Sequence, residues 1–317
     1  MKPAPFNTLP GDPLPLARAF WLRAEDGVRL RAAHWAAGGA SGTVLLFPGR
    51  TEYLEKYAEV AADLNAAGLD VLTLDWRGQG MSDRLQPNPR PGHIGDFADY
   101  QRDVVELVVT AQELDLPRPW HLLAHSMGGT IGLAALEAGL PVQSVVFSAP
   151  MWGINLRRVP EVLAMAIARL GRKLGRGGHP APGSGGEENF VLMDPFHDNL
   201  LTGDGRRWGR LVAETASWPD ISVGGVSNDW LIAALQECHR LTTLPAPTLP
   251  TLIALGDKER VVSPRAIRAR VATWPGATLL ELPDCRHEPM IERDAVRSRF
   301  LEASIAHFES AAPALSG

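Results

Sequence analysis

The sequence of 317 residues lacks several features that mark common classes of protein. Basic residues are not in excess, since 31 lysines and arginines stand against 36 aspartates and glutamates, a formal net charge of -5. A domain that binds nucleic-acid phosphates normally carries a basic excess, so we predict no nucleic-acid partner. Only two cysteines occur, Cys238 and Cys285, which are too few for a disulfide framework and indicate unpaired thiols in a reducing compartment.

Long apolar runs are also missing. No stretch reaches the roughly 18 uninterrupted apolar residues that a bilayer-spanning helix needs. Residues 1–19 contain five prolines and no apolar run of about seven residues, so they lack the apolar region of a secretory signal. We therefore expect a cytoplasmic protein, with peripheral attachment at the inner face of the membrane left open.

Motifs for metals and cofactors are absent as well. There is no H-E-x-x-H sequence and no cysteine–histidine cluster with zinc spacing, so we predict no metal. The R-G-Q-G stretch at 77–80 matches neither a phosphate-binding P-loop nor a complete dinucleotide fingerprint, and we predict no cofactor. No internal repeat with a period of about 20–50 residues is visible, which argues against solenoids and propellers.

The chain does contain a regular alternation of short apolar strands and helices. Strands are predicted at Thr43–Phe47, Asp70–Leu74, Trp120–Ala124 and Val142–Phe147, and helices between them at 52–67, 96–114 and 130–138. Two extended segments, Phe20–Glu25 and Val28–Trp35, come first and flank an Asp-Gly turn, which predicts an antiparallel start. The alternation predicts an α/β fold with a mostly parallel, twisted sheet covered by helices on both faces.

This alternation is interrupted after Pro150. Residues 151–228 contain predicted helices at Glu161–Leu174 and Arg206–Ala216, and a glycine- and proline-rich loop at 175–186 that we expect to be mobile. The alternation then returns, with strands at Thr251–Leu255 and Thr278–Leu282 and helices at Pro264–Thr273 and Asp294–Phe308. We predict one sheet domain in two parts, 1–150 and 229–317, with a helical cap inserted at 151–228.

The segment W-H-L-L-A-H-S-M-G-G, at 120–129, runs from an apolar strand through a serine into a glycine-opened helix. This order is typical of a nucleophile elbow, whose sharp turn needs small residues on both sides of the serine. Gly128 and Ala124 meet that need, although the commoner motif has glycine where this chain has Ala124. We predict that Ser126 is the nucleophile; the alternative is a serine that only caps the helix.

A serine nucleophile needs a base and an acid, which α/β hydrolases supply downstream in the order serine, acid, histidine. His287, in D-C-R-H-E just beyond the last predicted strand, is the candidate base. The loop G-D-K-E-R-V-V at 256–262 contains two candidate acids, Asp257 and Glu259. The histidines that we interpret as structural are His93, His121 and His125.

An oxyanion hole in such an enzyme uses two backbone N–H groups, one from the residue after the nucleophile and one from a loop after an earlier strand. These residues are Met127 and, in L-L-F-P-G-R, Arg50. Pro48-Gly49 by itself is equally compatible with an ordinary tight turn.

At these residues the chain resembles the lysophospholipase and monoacylglycerol lipase branch of the α/β hydrolases, and most closely the bacterial inner-membrane lysophospholipases. The most specific matches are P-G-R-T-E-Y-L-E-K-Y-A-E at 48–59, D-W-R-G-Q-G-M-S at 75–82, G-H-I-G-D-F-A-D-Y at 92–100, A-H-S-M-G-G at 124–129 and S-A-P-M-W-G at 148–153. The resemblance implies a serine hydrolase of the α/β-hydrolase fold, a cap over an acyl-binding cleft, and lipid mono-esters as substrates.

The resemblance also implies a triad of Ser126, Glu259 and His287. Related loops read G-x-x-D-x-x-V, which puts Glu259 on the acid position and leaves Asp257 as a loop-capping or solvent-facing residue. Two departures separate the chain from the monoacylglycerol lipases, which usually have His-Gly at the place of Pro48-Gly49 and aspartate at the place of Glu259. The first departure favours the lysophospholipase side.

We predict a carboxylic ester hydrolase that forms an acyl-enzyme on Ser126 and acts on lysophospholipids or monoacylglycerols. One alternative is a peptidase or amidase on the same fold, because a fold does not fix a function. Another alternative is a non-catalytic binding relative that kept the fold.

The helix at Glu161–Leu174 is predicted to form a wall of the cap that admits the acyl chain and contacts lipid surfaces. Its apolar residues are Val162, Leu163, Met165, Ala166, Ile167, Leu170 and Leu174, and its basic neighbours are Arg157, Arg158, Arg169, Arg172, Lys173 and Arg176. Apolar surface bordered by basic side chains suits an anionic bilayer. The alternative is a helix packed on the sheet domain with solvated arginines.

Overall fold

The computed structural model describes residues 1–156 and 159–311. Within these residues, nine strands hydrogen-bond into one sheet. In chain order they are β1 (Lys2–Pro3), β2 (Arg18–Arg23), β3 (Arg29–Trp35), β4 (Gly42–Phe47), β5 (Leu69–Asp75), β6 (Trp120–His125), β7 (Ser144–Ser148), β8 (Thr251–Gly256) and β9 (Ala277–Leu282).

The strands lie side by side in the order β1-β2-β3-β5-β4-β6-β7-β8-β9. The pairs from β1 to β5 are antiparallel, and every pair from β5 to β9 is parallel. The predicted mostly parallel sheet with an antiparallel start is therefore confirmed. Because the carboxyl ends of parallel strands meet at one edge, the loops after β4, β6, β8 and β9 come together there.

Helices connect most of these strands. They are α1 (Ala58–Ala66), α2 (Tyr100–Glu113), α3 (Met127–Glu137), α4 (Glu161–Lys173), α5 (Phe190–Met193), α6 (Gly205–Ser217), α7 (Asn228–Thr242), α8 (Pro264–Ala272) and α9 (Asp294–Ala311). Short 3-10 helices at Leu54–Tyr57 and Phe97–Asp99 precede α1 and α2, so each of those two predicted helices is divided. The sequence pattern does not predict α7, although Ser227 caps it by accepting a hydrogen bond from the N–H of Trp230.

The core lies on both faces of the sheet. In β4, Val44 and Leu46 pack under α1 and α9, whereas Leu45 and Phe47 pack on the opposite face with α2 and α3. A strand that is covered on both faces has no polar side, which is why its sequence is an unbroken apolar run. Each such side chain contributes about 1.5–3 kcal/mol of hydrophobic stabilisation, so the strand ends that carry the site are firmly held.

The chain between β7 and β8 forms helices α4 to α7 above the carboxyl edge of the sheet. Helix α4 packs against α7, and only Ala168 of α4 is buried. The glycine-rich loop at 175–186 is hydrogen-bonded near the start of α7, through Asn228 Nδ2 to the Arg176 carbonyl (2.9 Å) and the Ala181 N–H to the Val226 carbonyl (2.8 Å). The mobility of this loop and the cap boundaries 151–228 stay predictions.

Candidate active site

Ser126 lies at the turn where β6 passes into α3. Its φ of 50° and ψ of -116° lie outside the ordinary regions for a residue with a side chain. Such a conformation costs about 1–3 kcal/mol and persists only where the surrounding structure enforces it. Here the Ser126 N–H donates to the Ser148 carbonyl (3.0 Å), and the Ser126 carbonyl accepts from the Gly129 and Met151 N–H groups (2.9 and 2.8 Å).

Small residues around the serine let the elbow approach β4. A methyl group at Gly128 would collide with the backbone carbonyls of Phe47 and Pro48. One turn later, a methyl group at Gly132 would come within 3.3 Å of Ala124 Cβ. These two close approaches explain why both flanking positions of the sequence motif, Ala124 and Gly128, carry small residues.

The structure brings Ser126, His287 and Glu259 into one hydrogen-bonded chain. His287 Nε2 lies 2.9 Å from Ser126 Oγ, and His287 Nδ1 lies 2.7 Å from Glu259 Oε2. An ionised carboxylate only accepts hydrogen bonds, so Nδ1 donates to Glu259 and Nε2 is left to accept from the serine hydroxyl. All three residues are buried.

The two candidate acids are held differently. Glu259 Oε1 accepts from the backbone N–H groups of Val261 (2.6 Å) and Val262 (3.0 Å), which leaves Oε2 aimed at His287. Asp257, two residues earlier, is exposed on the same loop. Of the two carboxylates, only Glu259 reaches the imidazole.

Charges around His287 act on the pKa values of both partners. Burial opposes protonation of His287, but Glu259, Glu288 and Glu52 together outweigh it and raise the His287 pKa above its usual value. Burial likewise favours a neutral Glu259, but His287 and the two backbone donors lower the Glu259 pKa overall. Glu259 therefore stays ionised, and His287 is a stronger base than in water.

The predicted oxyanion donors lie on both sides of the elbow. Met127 is the first residue of α3, and Arg50 follows the Pro48-Gly49 turn at the end of β4. Among the described residues, neither of these two backbone N–H groups has a hydrogen-bond acceptor. The turn itself is held by Glu52, whose Oε2 accepts from the Gly49 N–H.

A buried charged cluster lies beside Ser126 and His287, and the sequence analysis did not predict it. Lys56 Nζ lies 2.7 Å from Glu52 Oε1 and 2.5 Å from Glu288 Oε2. Burial would raise the Glu52 pKa, but Lys56 and His125 lower it to about 2, whereas burial keeps the Glu288 pKa raised. The available signal was the spacing of Glu52 and Lys56, four residues apart and one helical turn from each other.

His125, next to Ser126, belongs to this cluster and not to the hydrogen-bonded chain of Ser126, His287 and Glu259. His125 Nδ1 donates to the Ser148 carbonyl (3.0 Å), and burial lowers the His125 pKa to about 3, so the ring stays neutral. Ligand atoms of Glu52, His125 and Glu288 lie within 4.8 Å of one another, an arrangement compatible with a metal ion. The Lys56 ammonium already lies between the two carboxylates and supplies the positive charge there.

A cavity of about 280 Å³ opens over Ser126 and His287. Its walls are mostly apolar side chains that form two groups, contributed by the helical region and, at Val261, by the loop after β8. One group is Phe190, Val191, Leu201, Leu211 and Val261; the other is Ile154, Leu156, Ala181, Val226 and Leu231. Such a cavity suits an apolar chain that extends from the reacting carbonyl.

The side chain of Arg50 lines the same cavity. Its Nη1 donates to the Gly224 carbonyl (2.8 Å), and its guanidinium lies 5.8 Å from the centre of the Trp230 ring. Burial lowers the Arg50 pKa to about 10, which still leaves the side chain charged at neutral pH.

Comparison with known proteins identifies the family. Residues 38–294 match the family described as serine aminopeptidase, S33. The chain belongs to this family. Its members are serine hydrolases of the α/β-hydrolase fold, so the predicted fold and enzyme class are confirmed.

Individual relatives agree with that assignment. Lysophospholipase L2 of Escherichia coli is 33% identical over 298 residues, which cover 89% of this chain and 85% of the relative. Monoacylglycerol lipase of Mycolicibacterium smegmatis is 28% identical over 243 residues, covering 74% and 77%. A solved structure of a soluble variant of monoglyceride lipase from Saccharomyces cerevisiae superposes with a TM-score of 0.74 at 18% identity, covering 97% of this chain and all of that one.

The predicted resemblance to lysophospholipases and monoacylglycerol lipases is therefore confirmed. Among residues 1–156 and 159–311, no helix combines the length and the hydropathy that a bilayer crossing requires.

Proposed function

We propose that the protein hydrolyses carboxylic esters through an acyl-enzyme on Ser126. The observation that carries this proposal is the continuous chain from Ser126 Oγ to His287 Nε2 (2.9 Å) and from His287 Nδ1 to Glu259 Oε2 (2.7 Å). A buried serine within hydrogen-bond reach of an oriented imidazole is what nucleophilic catalysis requires.

In the first step, Ser126 Oγ attacks the ester carbonyl carbon while His287 Nε2 takes the hydroxyl proton. Glu259 stabilises the imidazolium that forms, and the N–H groups of Met127 and Arg50 donate to the carbonyl oxygen as it becomes negative. The intermediate collapses when His287 returns its proton to the leaving alcohol. Water then attacks the acyl-enzyme, again through His287, and releases the fatty acid.

The substrate class follows from the relatives and the cavity. Two relatives, each aligned with this chain over most of its own length, are named lysophospholipase and monoacylglycerol lipase. Both names describe hydrolases of lipid mono-esters. The apolar walls of the cavity accommodate a single acyl chain, with the ester held at Ser126. We therefore assign lysophospholipids or monoacylglycerols as substrates, with residues 151–228 as the cap over the acyl chain.

The family description favours one alternative, an aminopeptidase. Such an enzyme must hold the substrate's α-ammonium, which requires a free carboxylate near the nucleophile. The two carboxylates that line the cavity, Glu52 and Glu288, both pair with Lys56, and Arg50 adds a further positive charge. A cationic amine is therefore disfavoured, and an ester is favoured.

Two assays test the mechanism and the substrate class. A serine-directed phosphonate is expected to modify Ser126 alone, since only an activated hydroxyl attacks phosphorus quickly. Peptide mapping of wild type and Ser126→Ala gives the readout, and an adduct at another residue, or none on folded protein, contradicts the mechanism. Turnover of p-nitrophenyl esters is expected to exceed that of aminoacyl anilides; the reverse order favours the peptidase, and no turnover of either favours the binding relative.

We further propose that α4 contacts an anionic lipid surface, which would attach a cytoplasmic protein peripherally to the inner face of the membrane. Helix α4 buries only Ala168, and its outward side is apolar: Val162, Leu163, Ile167, Leu170 and the adjoining Leu174 are all exposed. Arg169, Lys173 and Arg176 are exposed beside them, whereas Arg172 pairs with Asp229 (2.5 Å). Of the predicted basic flank, Arg157 and Arg158 lie outside the described residues.

Vesicle flotation tests the membrane contact. Wild type is expected to float with vesicles that contain anionic phospholipid, and more strongly at low salt than at moderate salt, because basic side chains contribute about 1 kcal/mol each near such a surface. A variant with Arg169, Lys173 and Arg176 changed to glutamine is expected to lose binding. The matched control changes Lys2, Arg18 and Arg299, which are exposed elsewhere, and is expected to bind like wild type. Equal failure of all three proteins to float contradicts the proposal.

A further inference from the structure

The guanidinium of Arg50 lines the cavity over Ser126 and, unlike those of Arg31 and Arg77, has no carboxylate partner among the described residues. Arg31 pairs with Glu55 (2.8 Å) and Asp75 (2.7 Å), and Arg77 pairs with Asp103 and Asp26. Among the described residues, no carboxylate lies within ion-pair distance of Arg50, and only its Nη1 has an acceptor, the Gly224 carbonyl. A charge held in a largely apolar cavity without an anion is costly, which indicates that an anion arrives with a ligand.

The place of this cation relative to the reacting carbonyl is set by the chain itself. Arg50 is the residue whose backbone N–H faces the ester oxygen in the proposed mechanism, and its guanidinium carbon lies at most roughly 6–7 Å from that backbone nitrogen. In a lysophospholipid, the ester carbonyl carbon and the phosphorus are separated by about six bonds, or roughly 7 Å when extended. The two spans match, so one residue can contact both groups of the same substrate.

We propose that the Arg50 guanidinium binds the phosphodiester of a lysophospholipid head group and thereby selects lysophospholipids over monoacylglycerols. This inference rests on the proposed ester hydrolysis and narrows its substrate class. Arginine suits the task because its planar fork makes two parallel hydrogen bonds to phosphate oxygens. With Nη1 on Gly224, the remaining donors on Nε and Nη2 are available for such a pair.

The competing role for Arg50 is to fasten the cap to the sheet domain through Gly224. Arg84 provides a matched comparison, because its Nη2 donates to the Asp220 carbonyl (2.7 Å) in the same helical region. Arg84 is partly buried and likewise has no ion pair among the described residues, and burial lowers its pKa. It lines a separate cleft and does not reach the cavity over Ser126. A variant at Arg84 therefore removes a fastening bond without removing a cation from the substrate cavity.

The experiment compares kcat/KM for lysophosphatidylcholine and for a monoacylglycerol with the same acyl chain, both presented in the same neutral detergent micelles. Arg50→Met is expected to lower the ratio of the two values by about 10–100-fold, since a charge-assisted hydrogen bond contributes about 1.5–3 kcal/mol. The loss is expected mainly in KM. Arg50→Lys restores the charge without the fork and is expected to recover part of the ratio.

Arg84→Met is expected to keep the wild-type ratio. If Arg50→Met lowers both substrates equally, or if Arg84→Met changes the ratio as much as Arg50→Met does, the fastening role explains Arg50 and the inference is wrong. Failure of the proposed function itself has a different signature: wild type then hydrolyses neither ester and gives no phosphonate adduct on Ser126.

Discussion

The carboxyl edge of the sheet and helix α4 of the cap are built in opposite ways. At the sheet edge, Ser126, Glu259 and His287 are buried, and each has hydrogen bonds that fix its direction. In α4 a single residue, Ala168, is buried, and large apolar side chains face outward. The first region holds atoms in fixed positions, whereas the second offers adaptable apolar surface.

The two regions therefore suit different tasks. Catalysis needs the reacting groups held within about half an ångström, which strands buried on both faces provide. A lipid surface, which we propose that α4 contacts, has no fixed shape, so residues that contact it need area more than position. A different part of the helical region, the segment between α5 and α6, contacts the sheet edge, where the His287 and Glu288 N–H groups donate to the carbonyls of Leu200 (3.3 Å) and Leu201 (2.9 Å). His287 is thus held both by Glu259 and by the helical region.

The largest expected effect comes from exchanging the acid for its amide. Glu259→Gln is expected to lower kcat by about 10³–10⁴-fold, because the amide no longer stabilises the imidazolium or fixes its tautomer. Asp257→Asn makes the same chemical change on the same loop, and because Asp257 is exposed we expect less than about a twofold loss. Initial rates on a p-nitrophenyl ester measure both. The opposite ranking would assign the acid to Asp257 and contradict the geometry of the sheet edge.

The sheet edge was also the part that the sequence could predict. Buried strands give unbroken apolar runs, and the elbow requires small residues beside Ser126, so both leave local patterns in the sequence. The proposed triad residues follow strands that are recognisable in this way. The choice of Glu259 over Asp257 needed the loop spacing of relatives, because both carboxylates are compatible with the local sequence.

The charged cluster and the exposed face of α4 could not be predicted in the same way. Glu52 and Lys56 are four residues apart, but Glu288 joins them from a distant segment, and the local spacing alone does not distinguish a buried cluster from solvated charges. The apolar residues of α4 fit equally a helix whose apolar side packs inward, which is the commoner arrangement. Helix α7 has a serine cap and apolar residues, but it lies in the stretch where the predicted alternation of strands and helices is interrupted, so the sequence pattern did not predict a helix there.

A pair of leucine truncations compares the two regions in stability. Leu46 in β4 is 1% exposed and Leu170 in α4 is 58% exposed. Leu46→Ala is expected to reduce the free energy of unfolding by about 2–5 kcal/mol, because it leaves a cavity in the core. Leu170→Ala is expected to change it by less than about 0.5 kcal/mol. Urea unfolding measures both, and a large loss for Leu170→Ala would mean that α4 packs its apolar side against the protein.

The smallest expected effect is a shift of the acidic limb of the pH–rate profile. Neutral His287 takes the serine proton, so kcat/KM decreases as the pH falls through the His287 pKa, which Glu259, Glu288 and Glu52 raise. Glu288→Gln removes one of these charges, lowers that pKa and moves the limb to lower pH by about half to one unit. Glu161→Gln makes the same change at the exposed start of α4 and is expected to leave the limb in place. Equal shifts in both variants, or a shift of Glu288→Gln to higher pH, would contradict the assignment of His287 as the base that these charges tune.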